Sequence, residues 1–286
     1  MQNYLIRSDL KGGAMGLGVF DGYHLGHQEL LKNCDHALSF FPHPDYVLKK
    51  NKKIQSLTTI DELLTFFPSV SVLQFDEDII KKMPIEFIED VIMTTFSPQK
   101  LVVGYDFKFG YQAQGSVSWL KDWGLKRHVE IQVVPAVLDE KGASIKSHQI
   151  RQYLSTEGLF NSALKDLGHP YLVKGEVIHG EGRGKTLGYP TANLRIPIEK
   201  QWPAFGVYKG LVLIQNKEYI GMVYIGKKPT FKGNQCVFEV HILNFNGTLY
   251  GQCLSVYLTE FIRGEKFFSN QEDLKIQIQQ DIESIQ

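Results

Sequence analysis

Residues 180–194, GEGRGKTLGYPTANL, set four glycines and two cations ahead of a Pro-Thr-Ala-Asn tail. Gly182 and Gly184 leave backbone amides open to cradle a phosphate, and Arg183 and Lys185 add charge beside them. Thr191 and Asn193 carry neutral hard oxygens, which suit a magnesium ion that also holds phosphate and water. A solvated basic turn would account for the glycines and lysine but not for the Thr-x-Asn pair. In CVFEVHIL, residues 236–243, Glu239 shares one side of a strand with Val237 and His241. A carboxylate so placed is either solvated or positioned to take a proton from a substrate.

A second group lies in GVFDGYHLGHQELL, residues 18–31. His24 and His27 are three residues apart, so at a helix start they share a face. Free amides there attract anions, and Gly26 allows close approach to the backbone. Two imidazoles aimed at a polyphosphate could donate hydrogen bonds as negative charge builds during a transfer. Polar turn histidines are the plainer alternative. Zinc is disfavoured: Cys34 and His36 would sit at the far end of the expected helix, about 10 Å away at ~1.5 Å per residue.

The elements around these groups fall into two kinds. MGLGVF (15–20), ALSFF (37–41), SVSVLQF (69–75), KLVVGYDF (100–107) and VEIQVVPAV (129–137) read as strands. Between them lie helical patterns at 27–36, 56–64 and 84–96, the last with Ile85, Ile88, Val91 and Ile92 on one face. Alternation of this kind predicts a doubly wound, mostly parallel α/β sheet. From residue 171 short strand-like runs follow one another with little helix between, which predicts a small antiparallel β-barrel. Asn246-Gly247 carries a hairpin signal. The last segment reads as a helix, with Ser269 and Glu272 as a capping box and Leu274, Ile278, Ile282 and Ile285 as its apolar face. A further helix is expected within 155–168. The boundary is expected near residues 168–170, giving domains 1–168 and 169–286.

The chain has 286 residues, and 31 Lys and Arg balance 31 Asp and Glu. That balance predicts neither a nucleic-acid nor a membrane partner. Three widely spaced cysteines, Cys34, Cys236 and Cys253, make no disulfide or zinc pattern. With no apolar leader or spanning run, a cytoplasmic protein is expected.

The histidine stretch resembles the His-x-Gly-His nucleotidyltransferases, and specifically the FMN adenylyltransferase half of bacterial bifunctional riboflavin kinase/FAD synthetases. The likeness continues in FFPHPDYVL (40–48), LVVGYDFKFG (101–110) and IKSHQIRQYL (145–154). It implies a Rossmann-like domain with Phe20, Asp21, Gly26, His24, His27, His43, Asp106 and Phe107 in or near a nucleotide and flavin pocket. The downstream chain resembles the riboflavin kinase module of the same family, with five matching segments in order from 175 to 282. That resemblance implies Thr191 and Asn193 as magnesium ligands and Glu239 as general base toward the riboflavin 5′-hydroxyl. It also implies Arg263 and Glu265 as flavin contacts, with riboflavin, FMN and ATP as partners. The family's Ser-Ser-Thr-x-x-Arg motif stands here as Lys146, Ser147, His148, Gln149, Ile150, Arg151; Ser147 and Arg151 remain as phosphate contacts. The change motivates an alternative, a riboflavin kinase whose front domain binds nucleotide but has lost adenylyl transfer. A flavin-binding protein without turnover is a further alternative, opposed by the retained Thr191, Asn193 and Glu239.

Overall fold

The computed structural model describes residues 10–48, 55–180, 182, 184, 187–230 and 233–286, the side chains at 228–230 and 233–235 excepted. Backbone contacts divide the chain into two compact units, Met1–Ser147 and His148–Gln286.

The first unit is built on five parallel strands: β1 (Ala14–Leu17), β2 (His36–Phe41), β3 (Val70–Gln74), β4 (Lys100–Gly104) and β5 (Glu130–Val134). Their order is β3-β2-β1-β4-β5. Successive residues of a strand feed opposite layers: Leu38, Leu101 and Val103 join one core cluster, while Ala37 and Val102 join the other. The first layer is completed by the helical segment 84–96 and by Leu120 and Trp123, the second by Leu30, Leu31 and Leu63. Burial on both faces explains why these strands read as continuous apolar runs. Chain order reverses between β1 and β4, and in open sheets of this kind ligands bind beyond the carboxyl ends of the strands at that crevice.

The helices are α1 (Leu25–Leu31), α2 (Pro44–Leu48), α3 (Ile60–Phe66), α4 (Glu77–Lys81), α5 (Pro84–Glu86), α6 (Thr94–Phe96) and α7 (Val117–Arg127). In α3, Thr59 and Glu62 form a reciprocal capping box. Two expectations need correction. The helix expected at 27–36 ends at Leu31, because the Asp35 amide donates to the Ala14 carbonyl and its carboxylate accepts from the Ala14 amide. His36 is thereby the first residue of β2, paired with Met15. Between α5 and α6, Phe87–Met93 is π-helical. The wider turn buries Phe87, Ile88 and Ile92 and leaves Ile85 44% exposed.

The second unit opens with α8 (Ser147–Ser155), whose first residue belongs to unit one, and α9 (Phe160–Leu167). Six strands follow: β6 (Tyr171–Ile178), β7 (Ala192–Arg195), β8 (Gly206–Ile214), β9 (Lys217–Thr230), β10 (Gly233–Ile242) and β11 (Cys253–Gly264). They close into an antiparallel barrel in the order β10-β7-β6-β11-β8-β9. The hairpin expected at Asn246-Gly247 is absent: β10 pairs with β7 and β9, and β11 with β6 and β8. The tight two-residue turn is instead Gln215-Asn216, both at positive φ, joining Ile214 to Lys217. Helix α10 (Gln271–Ile285) closes the chain. Its cap is Asn270, which accepts from the Asp273 amide, so the expected Ser269 box does not form. Ile282 and Ile285 pack on Val207, Met222 and Leu243.

Candidate functional sites on the two units

In the first unit the chain leaves β1, crosses the loop 18–24 and enters α1. Phe20, Gly22 and Tyr23 all take positive φ, which bends this loop sharply. Asp21 holds the bend, 4% exposed. Its Oδ1 accepts from the Thr58 amide at 3.1 Å, and its carbonyl accepts from the Ser147 hydroxyl at 2.7 Å. Both residues are thus fasteners. Phe20 is buried beneath the site and meets the His27 ring edge-on.

His24 and His27 stack with ring centroids 3.6 Å apart. Burial first, and the neighbouring His24 second, hold His27 well below the ordinary imidazole pKa. His27 is therefore a neutral ring at neutral pH, and its buried Nδ1 has no hydrogen-bond partner among the described residues. The two histidines line a cavity of about 230 Å³ with Gly26, Asp106, Lys146 and Ser147, at the carboxyl ends of β1, β4 and β5. At its rim the Lys146 ammonium lies 3.1 Å from the Asp106 carboxylate. Hydrogen bonds to Asp106 and then Tyr105 raise the Lys146 pKa. Its cation is thus offset by a carboxylate, a pairing that composition alone does not reveal.

Other expected residues lie differently. His43 Nδ1 accepts from the Asp45 amide, and its Nε2 is 3.9 Å from Asp21. Phe107 stacks on Phe109, which packs against Phe87 and Trp119, so this aromatic pair belongs to the core layer. Arg151 falls within the second unit, one turn beyond Ser147 on α8. Among the described residues no group of three or more His, Cys, Asp or Glu could hold a metal. Cys34 donates to the Leu30 carbonyl, and burial, ahead of the nearby Asp35, pushes its thiol up to about 12.

In the second unit the expected residues converge. Glu239 of β10 stands opposite Asn193 of β7 and opposite Tyr224 of β9. Directly opposed residues share a face. The Thr191 hydroxyl donates to Glu239 Oε2 at 3.2 Å. A side chain at position 184 would collide with the Tyr189 carbonyl, so that position requires glycine, and one at 180 would displace the Asn193 side chain. The Gly184 carbonyl accepts from the amides of Leu187 and Tyr189, folding the segment back toward Thr191. Gly182, at positive φ, is exposed. Arg183 and Lys185 lie outside the described residues. Two neutral side-chain oxygens beside a carboxylate suit a hard divalent ion that completes its shell with phosphate and water.

Tyr224 is a residue that sequence reasoning missed. Its hydroxyl donates to Glu265 at 2.8 Å, and burial, that bond and the charges of Glu265 and Glu239 raise its pKa. Only the strand register identifies it, since nothing in its local sequence marks it. Glu265 also borders an open hollow of about 520 Å³ lined by Glu157, Trp202, Pro203, Ala204 and Phe205. Arg263 serves the fold instead. Its Nε and Nη2 donate to the buried Asp281 of α10, and its Nη1 donates to the Gly264 carbonyl.

Two family models match the chain, FAD synthetase over residues 6–149 and riboflavin kinase over 167–286. Proteins named bifunctional riboflavin kinase/FMN adenylyltransferase are similar along nearly the whole length. One from Buchnera aphidicola is 34% identical, covering 95% of this chain and 92% of its own. Those from Bacillus subtilis and Escherichia coli are each 32% identical, covering 98% and 97% of this chain and 93% of their own. A crystal structure from Streptococcus pneumoniae, named a macrolide-efflux protein, superposes with a TM-score of 0.85 at 31% identity, covering 96% of this chain and 94% of its own. Efflux belongs to that protein's name; here no described helix is long and apolar enough to cross a membrane. With the parallel sheet matched by one family model and the barrel by the other, the chain belongs to the bifunctional riboflavin kinase/FMN adenylyltransferase family.

Proposed function

We propose that the chain makes FMN and then FAD, with riboflavin and two molecules of ATP as substrates. The observation that carries the kinase step is the Thr191–Glu239 hydrogen bond with Asn193 in register beside it. In this reading Glu239 takes the proton of the riboflavin 5′-hydroxyl, and the freed oxygen attacks the γ-phosphorus as the bond to ADP breaks. Thr191 and Asn193 would hold magnesium, whose charge would offset that of the phosphates. Gly182 and Gly184 leave room for the triphosphate to approach the backbone. The aromatic hollow beside Glu265 suits a flat, largely apolar ring system.

In the second step an FMN phosphate oxygen attacks the α-phosphorus of ATP, and pyrophosphate leaves. His24 and His27 line the cavity beyond β1 and β4, where the sheet favours nucleotide binding. A neutral His27 acts there as a hydrogen-bond donor to a charge that grows in the transition state, rather than as a fixed cation. Because a synthetase model matches the first unit and full-length relatives carry both names, the kinase-only alternative is not favoured. The three free cysteines fit a cytoplasmic setting. Chromatography of a reaction begun with riboflavin, ATP and magnesium tests the whole proposal. FMN should appear first and FAD follow with pyrophosphate; FMN without FAD would restore the kinase-only alternative, and neither product would end the proposal.

A further inference from the structure

We infer that His241 is a positioning residue for the kinase step, fastening the Pro190–Thr191 backbone so that the Thr191 hydroxyl stays on Glu239. His241 lies two residues beyond Glu239 on β10 and so projects on the same side. Its Nδ1 is 2.8 Å from the Pro190 carbonyl. A carbonyl only accepts, so Nδ1 carries the hydrogen. The ring also meets Tyr189 edge-on, with centroids 5.7 Å apart at 89°, and the Tyr189 hydroxyl donates to Gln279 of α10 at 3.0 Å. Regular pairing of β7 begins only at Ala192, and proline has no N–H to give. The imidazole therefore supplies the fastening that the barrel ladder does not, one residue before the hydroxyl that reaches Glu239.

The inference rests on the kinase reading and is tested in the full chain with His241→Leu and His241→Asn. The asparagine amide can reproduce the Nδ1 donor without the ring. His241→Leu should lower the kinase kcat about tenfold, with riboflavin affinity by fluorescence quenching within about twofold, and His241→Asn should recover to within about threefold. FMN adenylylation by the same preparations should match the unmodified protein, and the retained riboflavin affinity reports that the barrel has folded. Unchanged kcat in His241→Leu would overturn the inference, as would lost riboflavin affinity with kcat intact. Equal loss in the leucine and asparagine variants would also overturn it, assigning the effect to ring packing. If His241→Leu does not fold, His241→Asn is compared with His241→Gln, whose longer amide overshoots the Nδ1 position; asparagine should be the more active, and equality sinks the inference. Failure of the unmodified protein to phosphorylate riboflavin would count against the kinase reading instead.

Discussion

In the proposed scheme Glu239 and His27 serve the two chemistries from opposite environments. Glu239 is half-buried on the outer side of β10, while its neighbours Phe238 and Val240 face the barrel core. The alternation in CVFEVHIL announced that side of the strand, and the Thr-x-Asn spacing announced its companions. Glu239→Gln keeps size and hydrogen-bonding capacity but cannot take a proton. It should leave riboflavin affinity nearly intact and cut the kinase rate by the ~10²–10⁴-fold of a lost general base; an unchanged single-turnover rate would return Glu239 to the role of a solvated residue. His27 makes a prediction about pH. Its folded pKa lies below the unfolded value near 6.5, so between the two the unfolded chain binds more protons and stability rises with pH. Acidification through that window must therefore cost stability. Buried His36 is shifted in the same direction and adds to the effect. Thermal unfolding midpoints measured from pH 8 to 5 should fall on the acid side, and His27→Leu should flatten part of that slope. A variant with an undiminished slope would contradict the assignment of a buried neutral ring.

Elements were legible where local rules governed them and illegible where register did. Strands of the parallel sheet announce themselves because both faces are buried, and α3 and α10 because their apolar faces recur at helical period. The π-helical turn at Phe87–Met93 replaced the expected face because a widened helix changes which residues meet the sheet. Asn246-Gly247 misled because a turn dipeptide promises a hairpin only if its flanking strands are neighbours, and barrel closure gives β10 and β11 other partners. For the same reason Tyr224 could not be read from sequence as a neighbour of Glu239, whereas the alternation in CVFEVHIL already set His241 on that side without showing its bond to Pro190. Arg263 shows the reverse case, a cation expected at the ligand that the fold uses to bind α10. Asp281 is 3% exposed, and removing one partner of a buried, bidentate pair strands the other. Arg263→Met should destabilise the protein by about 3 kcal/mol in denaturant unfolding. It should impair the kinase through α10, which also holds Tyr189 by way of Gln279. Full stability with lost riboflavin binding would instead give the guanidinium to the flavin.

At the scale of the whole molecule the proposed scheme gives the two chemistries separate sets of side chains. The cavity of His24 and His27 is lined wholly from the unit Met1–Ser147, and Thr191, Asn193 and Glu239 all belong to the unit His148–Gln286. Each unit has its own buried core, the first on both faces of an open sheet and the second inside and beneath a closed barrel. A loss confined to one set of residues should therefore leave the other reaction running at its own rate. His27→Ala should spare riboflavin phosphorylation and depress FAD formation. Removing a donor aimed at transition-state charge costs ~10²–10³-fold, so FMN should accumulate where FAD would have formed. Glu239→Gln should do the converse: FMN from riboflavin only at the residual rate, but ordinary FAD synthesis when FMN is supplied. The two variants mixed together should then convert riboflavin to FAD, with FMN passing between them through solution. Complementation of that kind requires only that each intact site work beside a disabled one. If the mixture gives no FAD while each variant keeps its remaining reaction, FMN must be handed on within one assembly. If either substitution abolishes both reactions in a folded chain, the two sites are not separable.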